Sequence, residues 1–280
     1  MLIISSHIEL KNKIDFYRAK NLTIGFVPTM GALHQGHLSL ISKAKTINDI
    51  VVCSIYVNPL QFNNKEDFEK YPRLAEQDCT MLEKAKCNIV YIPNNLIIAD
   101  SADFEYEIGT LDEIMEGLFR PGHFKGVAFI VKKLFEIVNP HNAYFGEKDY
   151  QQLALIKKLT KDFLLNVDVI SCPTIREHDG LALSSRNARL SKAQRSIAAK
   201  IYEGLNLIKN NINNFSFDEL KSMFVKHIEA TNVMKVEYIE ICDAENLQLL
   251  SNISQSKSII ICTAVYLEKI RLIDNIKINL

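Results

Sequence analysis

Neither sign of charge is in excess: 33 lysines and arginines stand against 33 aspartates and glutamates. No global field therefore marks the chain for nucleic acid or an acidic surface, and any anion site must be built locally. No apolar run is long enough to span a bilayer, since the longest near the end, Ser258–Leu267, is strand-length. Residues 1–6 have neither a basic flank nor a long apolar core, so no signal peptide is read there. The six cysteines form no C-x-x-C pair and show no zinc spacing. Cys53, Cys172, Cys242 and Cys262 lie in apolar, strand-like runs and read as reduced core residues of a cytoplasmic protein. A Walker loop, G-x-G-x-x-G, G-x-S-x-G and H-E-x-x-H are all missing, which excludes a standard P-loop enzyme and a simple dinucleotide binder. Every proline lies at or before Pro173, and Gly204 is the one glycine after Gly180.

What remains is 280 residues, 48% of them hydrophobic, enough for one large domain or two medium ones. Helix-like and strand-like segments alternate: helix 7–20, strand 22–27, helix 37–47, strand 50–57, helix 73–86, strand 88–92, helix 126–139, strand 143–145, helix 149–163 and strand 167–171. This alternation predicts an α/β domain with a mostly parallel sheet and helices on both faces. The shift in proline and glycine usage marks a second region, with helices at 191–211 and 215–229 followed by strands at 236–241 and 259–266. We place the domains at 1–175 and 176–280.

The chemistry is organised around Pro28-Thr29-Met30-Gly31-Ala32-Leu33-His34-Gln35-Gly36-His37, between strand 22–27 and the apolar stripe of Leu38, Leu40, Ile41 and Ala44. At such a strand-turn-helix joint, backbone N–H groups lack internal partners and the helix dipole favours anions. His34 and His37, three apart, face the same way. Read alone, the turn is equally a phosphate-handling His-x-Gly-His site and a tight turn that its histidines merely cap.

Five further stretches lie at ends of elements or near the domain boundary. Asn58-Pro59-Leu60-Gln61-Phe62 places Gln61, with two donors and an acceptor, after a strand. Arg73 and Asp78 open the next helix. Arg120-Pro121-Gly122-His123-Phe124-Lys125-Gly126 is a cationic, glycine-rich loop at the amino end of an apolar helix. Phe145-Gly146-Glu147-Lys148-Asp149-Tyr150-Gln151-Gln152 offers a point charge for phosphate in Lys148 and an acceptor for ribose hydroxyls in Asp149. Leu183-Ser184-Ser185-Arg186-Asn187, near the domain boundary, sets two hydroxyls and a guanidinium in succession, a compact phosphate clamp.

In this order, and with Tyr71-Pro72-Arg73 and Arg271-Leu272-Ile273-Asp274-Asn275, these motifs resemble the pantothenate synthetase family, within the His-x-Gly-His adenylating superfamily. The resemblance covers essentially the whole chain. It implies a ligase that condenses (R)-pantoate with β-alanine through an enzyme-bound pantoyl adenylate, using ATP and Mg2+ and releasing AMP and pyrophosphate. It also implies a Rossmann-like amino-terminal domain, a smaller α+β carboxyl-terminal lid, and a homodimer. Carried over, Gln61 and Gln152 hold pantoate, with Met30 lining its pocket. His34, His37, Lys148, Ser184, Ser185 and Arg186 hold the ATP phosphates, and His37 is the family's usual proton donor. Gly146 and Asp149 hold the ribose and the Ile175 backbone the adenine; Gly31, Glu147 and Leu183 complete the nucleotide's surroundings. Asp78 is the implied magnesium contact. Two departures stand out: Phe129 replaces a residue that is often small and polar, and Tyr266-Leu267-Glu268-Lys269 replaces a more glycine-containing run. The rivals are a nucleotidyltransferase that keeps the nucleotide on its product and a nucleotide sensor without catalysis.

Overall fold

In the computed structural model, which describes residues 1–93, 101 and 103–280, the chain divides into two units. One is Met1–Glu147 with Gln152–Pro173; the other is Lys148–Gln151 with Thr174–Leu280.

The first unit runs β1 (Leu2–Ile4), α1 (His7–Arg18), β2 (Ile24–Thr29), α2 (Gln35–Lys45), β3 (Ile50–Ile55), α3 (Lys65–Glu69), α4 (Ala75–Lys84), β4 (Ile89–Tyr91), α5 (Met115–Phe119), α6 (His123–Val138), β5 (Asn142–Gly146), α7 (Tyr150–Asp162) and β6 (Asp168–Cys172); Tyr150 and Gln151 belong to the second unit. The strands form one parallel sheet in the order β1-β4-β3-β2-β5-β6. Consecutive apolar residues make strands that are buried on both faces, as a parallel sheet requires. On one face Val27, Val51, Cys53 and Val90 pack with Leu40, Ile41 and Ala44 of α2 and Leu82 of α4. On the other, Phe26 meets Phe135 of α6 edge-on at 6.2 Å, and Phe135 meets Phe145 at 6.3 Å. Each such side chain contributes about 1.5–3 kcal/mol through its burial. The expected α/β architecture is the one observed.

Strand order reverses between β2 and β5, and there the ladder is short. β2 pairs with β3 over its full length, from Ile24↔Ile50 to Thr29↔Ile55, but with β5 only at Gly25↔Asn142 and Phe26↔Ala143. β2 and β5 then part, leaving the crevice in which open α/β sheets bind ligands. Pro28, with no amide hydrogen to donate, falls where the β5 ladder has already ended.

His141 fixes the start of β5. Its Nδ1 accepts from the Ile24 amide at 2.8 Å, its own N–H donates to Ile24 O at 2.9 Å, and its carbonyl accepts from Asp168 N at 2.9 Å. Burial, and then the Arg18 charge, lower its pKa. A histidine kept neutral by the fold contributes stability that is present above the unfolded value near ~6.5 and lost as pH falls through the lowered folded value. His141→Asn, whose Oδ1 can accept in place of Nδ1, is expected to lose less melting temperature than the native chain between about pH 7.5 and 5.5. Parallel losses in both proteins would count against this.

The second unit contains α8 (Lys192–Ala198), α9 (Lys200–Asn211), α10 (Phe217–Glu229), β7 (Met234–Asp243), β8 (Ser258–Leu267) and β9 (Ile270–Asn279). The strands form an antiparallel sheet β7-β8-β9. Leu205, Ile208, Phe224 and Ile228 of the helices pack on Ile241, Ile259, Ile261 and Val265 of the sheet. Ser191 and Ser216 open α8 and α10 with reciprocal capping boxes to Gln194 and Glu219. The single helix expected at 191–211 is two, joined at Ala199, where Tyr202 N bonds the Ala199 carbonyl in a 3₁₀ step. β9 was not expected. At the β8–β9 turn Glu268 takes φ +52°, so the departure from a glycine-containing run is accommodated by left-handed backbone on a side-chain-bearing residue. No helix among the described residues is long and apolar enough to cross a membrane.

Candidate active site

The turn after β2 is held by its own side chains and by one carboxylate from α4. Thr29 Oγ1 donates to Ser54 O at 2.7 Å and accepts from Gly31 N at 3.2 Å. Asp78 reaches in from α4: Oδ2 accepts from Ala32 N at 2.9 Å and Oδ1 from Leu33 N at 2.7 Å. Gly31 has φ +82°, and a Cβ there would lie 2.9 Å from Asp78 Oδ2, so the turn needs glycine both for its backbone and for this approach. His34 Nδ1 accepts from Gly36 N at 3.1 Å, and His37 Nδ1 accepts from His34 N at 3.3 Å, a capping box made of two imidazoles.

The expectation of amides open to an anion is therefore corrected for six of them. The N–H groups of Gly31, Ala32, Leu33, His34, Gly36 and His37 all have partners within the unit. Beside its backbone the turn offers side-chain donors. Because each Nδ1 accepts a backbone N–H, each neutral ring keeps its proton on Nε2, and protonating Nδ1 would set N–H against N–H. The rings lie 4.1 Å apart, centroid to centroid, at 43°. Capping, offered by the sequence as the alternative to ligand binding, uses Nδ1 of both rings and not Nε2.

Asp78 is 1% exposed, and burial pushes its pKa up against the two backbone bonds that lower it. Magnesium keeps several waters and takes open carboxylate oxygens alongside substrate phosphates. Asp78, with both oxygens committed to the turn, does not fit a direct ligand. Among the described residues no group of three or more His, Cys, Asp or Glu is arranged to hold a metal ion. Arg73 caps α3, its guanidinium 3.4–3.5 Å from the carbonyls of Phe68, Glu69 and Tyr71 and over the Phe68 ring.

After β3, Asn58 caps a 3₁₀ turn over Pro59–Gln61 through its Oδ1, while Nδ2 donates to Gly126 O and to Gln61 Oε1, each at 3.1 Å. Gln61 Nε2 lies 2.8 Å from Met30 Sδ. The structure thus brings together two of the residues expected to line one acid pocket. The Gln61 carbonyl accepts from Arg120 Nη2 at 3.2 Å and from His123 Nδ1 at 2.8 Å. α6 comes so near that a Cβ on Gly126 would lie 2.3 Å from Leu60 O. Asn58, Arg120 and His123 lie within the sequence motifs, but their residue types alone give them no site role. An Asn-Pro pair reads as a turn, and that Asn58 is 1% exposed between two elements has no sequence signal. Phe129 is 3% exposed and meets Phe104 edge-on at 5.5 Å, so this departure is absorbed as core. A cavity of 220 Å³ bordered by Leu60, Phe104, Lys125 and Phe129 contains none of the predicted site residues.

Gly146 ends β5, across from the turn after β2 at the switch point, with Glu147 next; Gln152 is half-buried in α7. In the second unit the Lys148 side chain is 16% exposed, with Nζ 3.7 Å from Asp149 Oδ1. Ile175 and Leu183 face each other across a hairpin, Leu183 N donating to Ile175 O at 3.0 Å. Ser184 caps a 3₁₀ turn over Ser185–Arg189 by accepting from Arg186 N at 3.3 Å. Its hydroxyl hydrogen is still available for donation.

A family model described as pantoate-beta-alanine ligase matches residues 2–277. The chain belongs to the pantoate-beta-alanine ligase family. It is 43% identical to the pantothenate synthetase of Cytophaga hutchinsonii over 100% of both chains, and 44% identical to that of Phocaeicola vulgatus over 99% of both. Among solved structures, it is similar to the pantothenate synthetase of Thermus thermophilus, with a TM-score of 0.89 and 37% identity over 99% of both chains. It is also similar to the pantoate-beta-alanine ligase of Francisella tularensis complexed with beta-gamma ATP and beta-alanine, with a TM-score of 0.80 and 40% identity over 99% of this chain and 97% of that one. The family resemblance stated from the motifs is borne out.

Proposed function

We propose that the protein condenses (R)-pantoate with β-alanine at the expense of ATP, through a pantoyl adenylate, releasing pyrophosphate and then AMP. Family membership supports this reading, and one local observation carries it: the Gln61 amide is held against Met30, at the start of the turn that bears His34 and His37. An acid bound by Gln61, with Gln152 as its second amide, then lies beside the phosphate donors.

Adenylation asks for in-line attack of the pantoate carboxylate on the α-phosphorus while charge builds on the departing pyrophosphate. Positioning and charge stabilisation therefore dominate. His34 and His37 donate from Nε2–H, Lys148 and Arg186 supply cations, and Ser184 and Ser185 donate hydroxyls. Gly146 and Asp149 hold the ribose, the Ile175 backbone the adenine, and Gly31, Glu147 and Leu183 surround the nucleotide. His37 acts as a hydrogen-bond donor rather than a proton donor, since a neutral ring whose Nδ1 is already accepting has no acidic proton to release. ATP enters as its magnesium complex, and because Asp78 is buried beneath the turn no step is assigned to a protein-held metal. The β-alanine amine then displaces AMP from the mixed anhydride, from which water must be kept in the meantime. The enzyme works in the cytoplasm as a homodimer.

The test is AMP release with each substrate omitted in turn. Release that needs both pantoate and β-alanine supports the ligase; a nucleotidylated product accumulating without AMP sinks it. The geometry at Gly126 adds a sharper expectation. Gly126→Ala should push the 59–61 turn away from α6 and raise KM for pantoate about 10–100-fold, leaving KM for ATP near the native value. Equal shifts in both constants would show that the turn does not serve the acid alone.

A further inference from the structure

Asp274 and Asn275 occupy adjacent places in β9, paired with Thr263 and Cys262 of β8. Alternation along β9 turns Ile270, Leu272, Ile276 and Ile278 toward the core, so Asp274 takes a position that packing would give to an apolar residue. Asp274 is 5% exposed, and its carboxylate is held by Arg176 in a bidentate pair, Nη1–Oδ2 at 2.7 Å and Nη2–Oδ1 at 2.9 Å. Arg176 also donates to Gly180 O and Asn275 O, each at 3.0 Å, and stacks 3.8 Å above the Tyr202 ring. These bonds clamp the hairpin in which Arg176 bridges Ala182 and Leu183 N bonds Ile175 O.

Asn275 faces another segment. Its N–H donates to Asp274 Oδ1 at 2.8 Å, and its Nδ2 donates to the Lys148 carbonyl at 2.8 Å. A burial cost of this size is seldom met for packing alone, since a buried ion pair is often no better than an apolar pair of the same volume. What the pair does supply is geometry: planar, bidentate, and fixed from both sides.

We propose that Asp274 and Asn275 are positioning residues that register Lys148 on the hairpin carrying Ile175 and Leu183, so that the lysine and the 183–186 segment meet one nucleotide in a fixed relation. This rests on the reading of Lys148 as a phosphate-binding residue. Neither Asp274 nor Asn275 touches substrate in this account; they act through Lys148 and Arg176.

The test compares the native chain with Asn275→Ala and the isosteric Asn275→Asp, which replaces the donor toward the Lys148 carbonyl with an acceptor. Two quantities are read on proteins whose melting temperatures are measured alongside. The first is pantoate-dependent ATP–pyrophosphate exchange, expected to fall about 10–100-fold in kcat/KM for ATP, with KM for pantoate within about twofold. The second is acetylation of Lys148 by acetic anhydride, followed by mass spectrometry without nucleotide and expected to be several-fold faster in both variants. A merely structural role would lower the melting temperature and shift both substrates alike. An unchanged labelling rate overturns the inference, as does faster labelling with unchanged exchange. A native chain that shows no exchange sinks the functional reading alone, and Lys148 labelling then decides this one.

Discussion

His37→Ala is expected to slow pantoyl adenylate formation about 10²–10³-fold, the loss typical of removing one preorganised donor from developing charge. The two amide substitutions should separate what the ring does. Asn puts an acceptor where Nδ1 stands and keeps the bond from His34 N, but has no group to reach outward. Gln places an N–H near the position of Nε2 and gives up the cap. If the donor is what matters, Gln should retain activity within about 10-fold of the native enzyme while Asn falls with Ala. If His37 transfers a proton, both amides should be equally inactive. Pantoate-dependent ATP–pyrophosphate exchange, in the native enzyme and the three variants, reads the difference.

The elements that were legible in the sequence are those whose period and burial agree. Consecutive apolar residues in β2, β3 and β4, and the apolar helix α6, can only be buried, and alternation of helix with strand leaves a parallel sheet as the simplest solution. β9 was missed although Ile270, Leu272, Ile276 and Ile278 keep a period of two. The interruption at Asp274, met by Arg176 from far upstream, breaks the pattern that a local reading follows. β1, three residues at a sheet edge with Leu2 and Ile3 exposed, has too little burial to leave a signal. In the site, chemistry-bearing residue types at element ends were legible, because ligands bind at the carboxyl ends of parallel strands. Direction was not. Sequence spacing says that His34 and His37 share a face, but not that their Nδ1 atoms are spent on the backbone. It says that Asp78 is near a helix start, but not which way its carboxylate turns.

Asp78→Ala should be the most damaging single change to the first unit's site. It leaves the Ala32 and Leu33 amides without acceptors in a turn where the Gly31, His34, Gly36 and His37 N–H groups already have partners. At about 1–3 kcal/mol for each buried donor, the loss is about 2–6 kcal/mol, a large share of the total stability of a domain. Asp78→Asn is the gentler and more informative change. Two effects oppose each other in it. Removing the charge relieves the desolvation that raises the Asp78 pKa, whereas the amide can accept from only one of the two N–H groups and turns its own NH2 against the other. The unmade, charge-assisted bond should outweigh the relief, since hydrogen bonds to a charged group are worth about 1.5–3 kcal/mol. A moderate drop in melting temperature is therefore expected, together with slower adenylate formation as Met30, His34 and His37 lose their common frame. Magnesium separates this role from that of a ligand. A brace leaves the magnesium concentration for half-maximal exchange unchanged in Asp78→Asn, however much the maximal rate falls. A ligand shifts that concentration upward by an order of magnitude or more, about the 10–100-fold cost of disturbing a metal's surroundings, and an upward shift without loss of melting temperature would return Asp78 to the metal.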